Sequence, residues 1–155
     1  GDNSGNGIEN WTAYIDHAID QNGWACFCIH NIRDDQTTGH YITTANADAL
    51  FGYTEDKNVW VASINDATKY YREWSTAKLS TVYQGETIKV TLTDGEDNEI
   101  CDMALTVKIY TPVTWDKAMY NDTVIDVHEE SNGRRYVLVD IIPDSGVTEI
   151  TGICG

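Results

Sequence analysis

The run Trp24-Ala25-Cys26-Phe27-Cys28-Ile29-His30-Asn31-Ile32 is apolar almost throughout and carries a histidine near its end. It is too short to span a membrane and dense enough for a buried strand. A strand would place Trp24, Cys26, Cys28 and His30 on one face and Ala25, Phe27 and Ile29 on the other. An imidazole at the end of such a strand, followed by the polar loop 33–41, is the arrangement most suited to proton chemistry. A buried histidine bonded to a backbone carbonyl is the plain alternative. His30, Asp34, Asp35 and His40 offer nitrogen and oxygen donors that would suit zinc or a similar ion if the loop folded back. As loop residues, the two aspartates read first as solvated turn formers.

Aromatic side chains are a second source of chemistry, because a sugar ring can stack on them. Trp11, Trp24, Trp60, Tyr70 and Trp74 sit at core spacing. Trp115 and Tyr120, in an irregular stretch, are the better candidates for an exposed platform. The acidic loop 94–99 lacks the ligand spacing of a recognised calcium loop and reads as a turn. Asn10-Trp11-Thr12 and Asn121-Asp122-Thr123 match the glycosylation sequon, which matters only in a eukaryotic secretory setting. The four cysteines form neither a disulfide framework nor a zinc ribbon. Cys26 and Cys28 are poorly placed to bridge each other, whereas a Cys101–Cys154 bridge and free thiols both remain open.

These residues need elements to hold them. Residues 8–22 predict an amphipathic helix, with Ile8, Trp11, Ile15, Ala18 and Ile19 on one face and Asn22-Gly23 as the stop. The strand 24–32 follows. Thr43 or Thr44 caps a second helix to about Tyr53, with Ala45, Ala49, Leu50 and Tyr53 inward. Val59 to Ala62 predicts a short buried strand. Ser63 to Asp66 is a capping box for a third helix that carries Ala67, Tyr70, Tyr71 and Trp74 on one face. The strand–helix–strand piece predicts a right-handed parallel crossover.

From Leu79 the pattern changes to short alternating runs at 79–83, 87–93, 104–110, 124–129, 135–142 and 148–153. Turn signals stand at Gly85, Gly95 and Gly133, and Pro112 and Pro143 mark strand ends. The clearest hairpin is 124–142, around Ser131-Asn132-Gly133. The expected fold class is α+β: a partial, barrel-like α/β half followed by an antiparallel β-sandwich. The expected divisions are a flexible linker at 1–7, an α/β part at 8–78 and a β-sandwich module at 79–155.

The chain has 155 residues, 41% of them apolar, which is enough for a packed core. Ten basic residues against 25 acidic ones give a net charge of −15. That balance argues against a nucleic-acid partner, since phosphate recognition needs a basic surface. It also argues against adhesion to anionic membranes. No stretch has transmembrane length, and no signal peptide is visible.

The order of motifs carries a resemblance. Tyr14-Ile15-Asp16-His17-Ala18-Ile19 leads through Gly23-Trp24 into Cys26-Phe27-Cys28-Ile29-His30-Asn31-Ile32. Val59-Trp60-Val61-Ala62 and Ala67-Thr68-Lys69-Tyr70-Tyr71-Arg72-Glu73 follow. This order resembles the C-terminal end of the polysaccharide deacetylase family, the NodB-type carbohydrate esterases, and the β half is similar to the sandwich that trails some members. The resemblance implies that His30 is the general acid that protonates the leaving group. It implies that Cys28 and Trp24 help line the substrate pocket. A complete member holds a divalent, zinc-like metal through an aspartate and two histidines four residues apart, with a second aspartate as base. This chain has no such histidine pair, so neither the metal nor the base role transfers to it. A general acid alone supplies about 10²–10⁴ in rate, while hydrolysis also needs an activated water.

Two functions follow as expectations. One is the C-terminal portion of a deacetylase-like protein acting on acetylated polysaccharide, inactive as this chain. The other is a non-catalytic module in which the β-sandwich binds glycan or cell wall. Either implies an extracellular or cell-surface bacterial setting. A truncated barrel would also leave the edges of strands 24–32 and 58–62 bare, which predicts self-association through them or their coverage by the β half.

Overall fold

The structure, a computed structural model, describes residues 8–35, 41–57 and 59–155. The fold class is α+β: the described residues form three helices and two antiparallel sheets in a sandwich-like arrangement, without a closed barrel. The chain divides into two compact units, Gly1–Ala62 and Ser63–Gly155.

In the first unit, helix α1 runs Ile8–Asp20 and buries Ile15. Its end is a Schellman turn, in which Gly23 N–H donates to the Ala18 carbonyl at 2.7 Å and Asn22 N–H to Ile19 at 3.1 Å. The left-handed residue of that turn is Asn22 (φ 49°), not the glycine beside it. Helix α2 runs Thr44–Asp56, and the Thr43 side chain caps it by accepting from Asn46 N–H at 3.2 Å. Its buried residues are Ala47 and Leu50, while Ala45 and Ala49 face solvent, so the inward face is rotated from the expected one. The Tyr53 hydroxyl donates to both Asp16 carboxylate oxygens (2.7 and 2.8 Å), and Lys57 pairs with Asp16 at 3.0 Å, tying α2 to α1.

The two strands expected in this unit do not form. Residues 24–31 and 59–63 enter no ladder; Ile32 alone makes an isolated parallel bridge, to Ile42. A strand is stable only when a neighbour takes its backbone hydrogen bonds. Among the described residues no neighbour does so here. The parallel crossover is therefore absent, and the expected edge pairing loses the ladder it was built on. The alternation survives without the sheet: Trp24, Cys26, Cys28 and His30 are exposed, while Ala25, Phe27 and Ile29 are half-buried.

In the second unit, helix α3 (Ile64–Thr76) is capped by Ser63, whose hydroxyl oxygen accepts from Asp66 N–H at 3.1 Å and which donates to the Asp66 carboxylate at 2.8 Å. The expected boundary at 78/79 lies after this helix, whereas the compact units divide before it. The reason is packing: Tyr70 and Ala77 rest against the sandwich core, and Glu73 is fully buried. The expected inward residues Tyr71 and Trp74 are exposed instead.

Eight strands follow: β1 Lys78–Gln84, β2 Thr87–Thr93, β3 Leu105–Tyr110, β4 Lys117–Tyr120, β5 Thr123–Asp126, β6 His128–Glu129, β7 Arg135–Ile141 and β8 Val147–Ile153. They form a five-stranded sheet in the order β1-β2-β8-β4-β5 and a three-stranded sheet in the order β3-β7-β6. Ile88, Val90, Leu92 and Ile150 of the first sheet and Leu105, Ile109, Val137, Val139 and Ile141 of the second belong to one buried core. The hairpin β6–β7 forms around the expected turn, with Glu129 opposite Arg135. The single run expected at 124–129 is divided between two sheets, since β5 pairs with β4 and β6 with β7. Strand β4 was not foreseen. It joins β5 through Asn121 and Asp122, both at positive φ, as a type I′ turn requires.

Trp115 is 1% exposed, so it belongs to the core and not to an exposed platform. Its indole lies on Gly152, where a Cβ atom would come within 1.9 Å of Trp115 Cε2. We expect Gly152→Ala to destabilise this unit by about 1–3 kcal/mol or more, read by urea unfolding, because the ring has no free space to move into.

Glu73 Oε1 accepts from Met103 N–H at 2.9 Å, and its Oε2 has no hydrogen-bond partner among the described residues. Burial raises its pKa above the ordinary value, against the Met103 N–H, and Asp94 and Asp102 add to the rise while Lys69 opposes it. A carboxyl raised on folding stabilises the fold below its unfolded pKa and loses that contribution as pH climbs through the folded value. Glu73→Gln keeps the acceptor and removes the charge. It should therefore be more stable than the parent at neutral pH by about 1 kcal/mol, with the gap closing in acid. Melting curves across pH that stay parallel for the two proteins would refute this.

Candidate functional site

The end of α1 and the extended segment after it enclose an open groove of about 350 Å³. Trp11, Tyr14 and His17 line it from the helix; Trp24, Cys26, Phe27 and Cys28 line it from the segment. The local sequence dictates this. Residues 11, 14 and 18 fall on one side of a 3.6-residue helix, and the turn at Asn22-Gly23 sends the chain back along it. Phe27 packs on Trp11 with ring centroids 5.8 Å apart, forming the floor. Tyr14 and Trp24 stand at the rim, 62% and 57% exposed. Trp24 and Trp60 (59% exposed) are thus not core residues, although their spacing suggested it.

Of the expected site residues, Trp24 and Cys28 line this groove. His30 lies beyond the groove lining, yet on the same face as Cys28: its Nε2 is 3.9 Å from Cys28 Sγ. Sequence reasoning missed Tyr14, and it assigned Trp11 to the core alone. The i, i+3 spacing of the two was the available signal.

The loop acids are committed elsewhere. Asp34 Oδ1 accepts from Thr44 N–H at 2.9 Å, at the start of α2. Asp35 pairs with Arg33 at 2.9 Å, and the Arg33 hydrogen bond holds its carboxyl below the ordinary carboxylate range. His40 lies outside the described residues. Among the described residues no three His, Cys, Asp or Glu side chains come together as metal ligands, so the zinc-like ion that the resemblance implies finds no ligand set there. In the loop 94–99, Asp94 Oδ1 accepts from Glu96 N–H (2.8 Å) and Asp97 Oδ1 from Glu99 N–H (3.0 Å), two tight local turns.

Comparison with known proteins adds one relative. Over 139 residues the chain is 27% identical to a gellan lyase from Bacillus sp. The match covers 83% of this chain and 6% of that protein, so the chain spans a small part of its relative's length. No protein-family model matches the chain, and no solved structure does. No described helix is long and apolar enough to cross a membrane.

All four cysteines are free; Cys26, Cys28 and Cys154 are exposed and Cys101 is buried. We expect three thiols to react with an aromatic disulfide reagent in the folded protein, and the fourth only after unfolding. Prompt reaction of all four would show that Cys101 is not held in the core.

Proposed function

We propose that this chain is a glycan-binding part of a larger, extracellular or cell-surface protein acting on polysaccharide, and that the Trp11–Tyr14–Trp24 groove holds the sugar. The observation that carries the reading is the pair of exposed rings, Tyr14 and Trp24, above an aromatic floor. Leaving such rings in water forgoes the stabilisation that burial would give them. A pyranose ring presents an apolar C–H face that covers an indole while its hydroxyls stay solvated, so the two surfaces suit each other. The groove volume lies at the lower end of small-molecule clefts, about 300–1,000 Å³, and is open enough for a chain to pass through. The similarity to part of a gellan lyase supports a carbohydrate setting.

A second reading is favoured by the shared face of Cys28 and His30. In a deacetylase-like protein that face would turn toward the acetyl group, with His30 as proton donor and Cys28 beside it. The metal and base would come from residues other than those described.

Affinity electrophoresis against gellan and against acetylated and deacetylated xylan tests both. We expect retardation of the chain by polysaccharide, no release of acetate, and roughly tenfold weaker binding for Trp24→Ala at unchanged melting temperature. Migration unaffected by every polymer would overturn the glycan-binding reading. Metal-dependent acetate release that His30→Ala abolishes would favour the second.

A further inference from the structure

The outer face of the three-stranded sheet carries a cluster that the groove does not explain. Tyr110, Tyr136 and His128 stand in register across β3, β7 and β6. The His128 and Tyr136 rings stack with centroids 5.3 Å apart. Lys108 Nζ lies 4.3 Å from the Tyr136 centroid, and the Arg134 guanidinium 3.5 Å from that of Tyr110. Glu130 joins them: its Oε1 accepts from Lys108 Nζ and from the Tyr110 hydroxyl, both at 3.1 Å. Leu138, outward on β7 and 46% exposed, continues the apolar strip.

Pair stabilisation alone would not need this composition. Exposed ion pairs contribute little, about 0–1 kcal/mol, and each cross-strand ring pair adds about 0.2–1 kcal/mol without needing donors and an acceptor gathered around it. Here three rings lie across adjacent strands, and neighbouring strands are about 4.8 Å apart. The row is thus about 10 Å long. Donors (Lys108, Arg134) and an acceptor (Glu130) flank it. Charge then selects the ligand. Lys108 is matched by Glu130, and the other charges of the face, Arg134 over Tyr110 and Asp140 outward on β7, are opposite in sign, so the face holds little net charge. The chain as a whole, at −15, repels polyanions.

We infer that this face is a second glycan site, one that takes neutral sugar units along the Tyr110–Tyr136–His128 row. Glu130 accepts from sugar hydroxyls, Lys108 and Arg134 donate to them, and the two cationic side chains swing off the tyrosine rings as the sugar stacks. The inference rests on the carbohydrate reading above but not on the groove.

The test uses the full chain in affinity gels containing hydroxyethyl cellulose, a neutral polymer, or alginate, an acidic one. We expect retention by the neutral polymer. Tyr136→Leu and Tyr110→Leu should each weaken it about tenfold. Lys108→Met, which keeps the stem over the ring and removes the donor, should weaken it severalfold. All three should melt like the parent, and Trp24→Ala should leave the residual binding dependent on Tyr136. With the groove disabled by Trp24→Ala, retention left undiminished by Tyr110→Leu/Tyr136→Leu would overturn this site while leaving the carbohydrate reading intact. So would, in the same Trp24→Ala background, tighter retention by alginate than by the neutral polymer. A parent chain retained by no polymer would overturn both.

Discussion

The indole of Trp115 lies flat on the backbone of Gly152, and the second unit is arranged around that contact. Strand β8 can be approached this closely only because residue 152 has no side chain. Arg135, at the start of β7, holds the backbone of the same residue by donating to the Trp115 carbonyl at 2.6 Å. Because β8 belongs to the five-stranded sheet and β7 to the three-stranded one, this connection helps fix the two layers over each other. Dense packing leaves such a ring no alternative rotamer of equal energy. A residue in an irregular stretch between strands thereby becomes one of the largest fully buried side chains in the chain.

The same logic, run in reverse, explains the first unit. Its helices are capped and tied together through Tyr53, Asp16 and Lys57, so their geometry is set locally. The segment after α1 keeps an extended alternation but, among the described residues, has no strand beside it. Its outer row, Trp24 to His30, is exposed. A groove lined by aromatic rings is the outcome, and a sugar-binding role is the reading that makes use of it.

Glu73 shows how a polar residue can define a boundary. An acid on a helix reads as solvated, and the helix reads as part of the α/β half. Burial of that acid against Met103 N–H places α3 with the sandwich instead. The orphaned Oε2 leaves the interface slightly strained toward the protonated form, which links packing to pH.

What the sequence by itself determined is local. Thr43 and Ser63 cap helices because their oxygens reach amides three residues on. Gly85 and Gly133 turn the chain because they accept positive φ, and Pro112 and Pro143 end strands for want of an amide hydrogen. The α+β class and seven of the eight strands follow from such signals, β5 and β6 being read as one run. That Trp24, Cys26, Cys28 and His30 share one face was legible because alternation along an extended segment needs no partner. The tertiary structure alone decided which aromatics are inside. Trp24, Trp60 and Trp74 have core spacing and are exposed; Trp115 has none and is buried. Spacing tells which residues share a face, but burial depends on what covers that face, and that is a property of distant chain. The division of residues 123–129 between two sheets, and the row of rings across β3, β7 and β6, are non-local for the same reason.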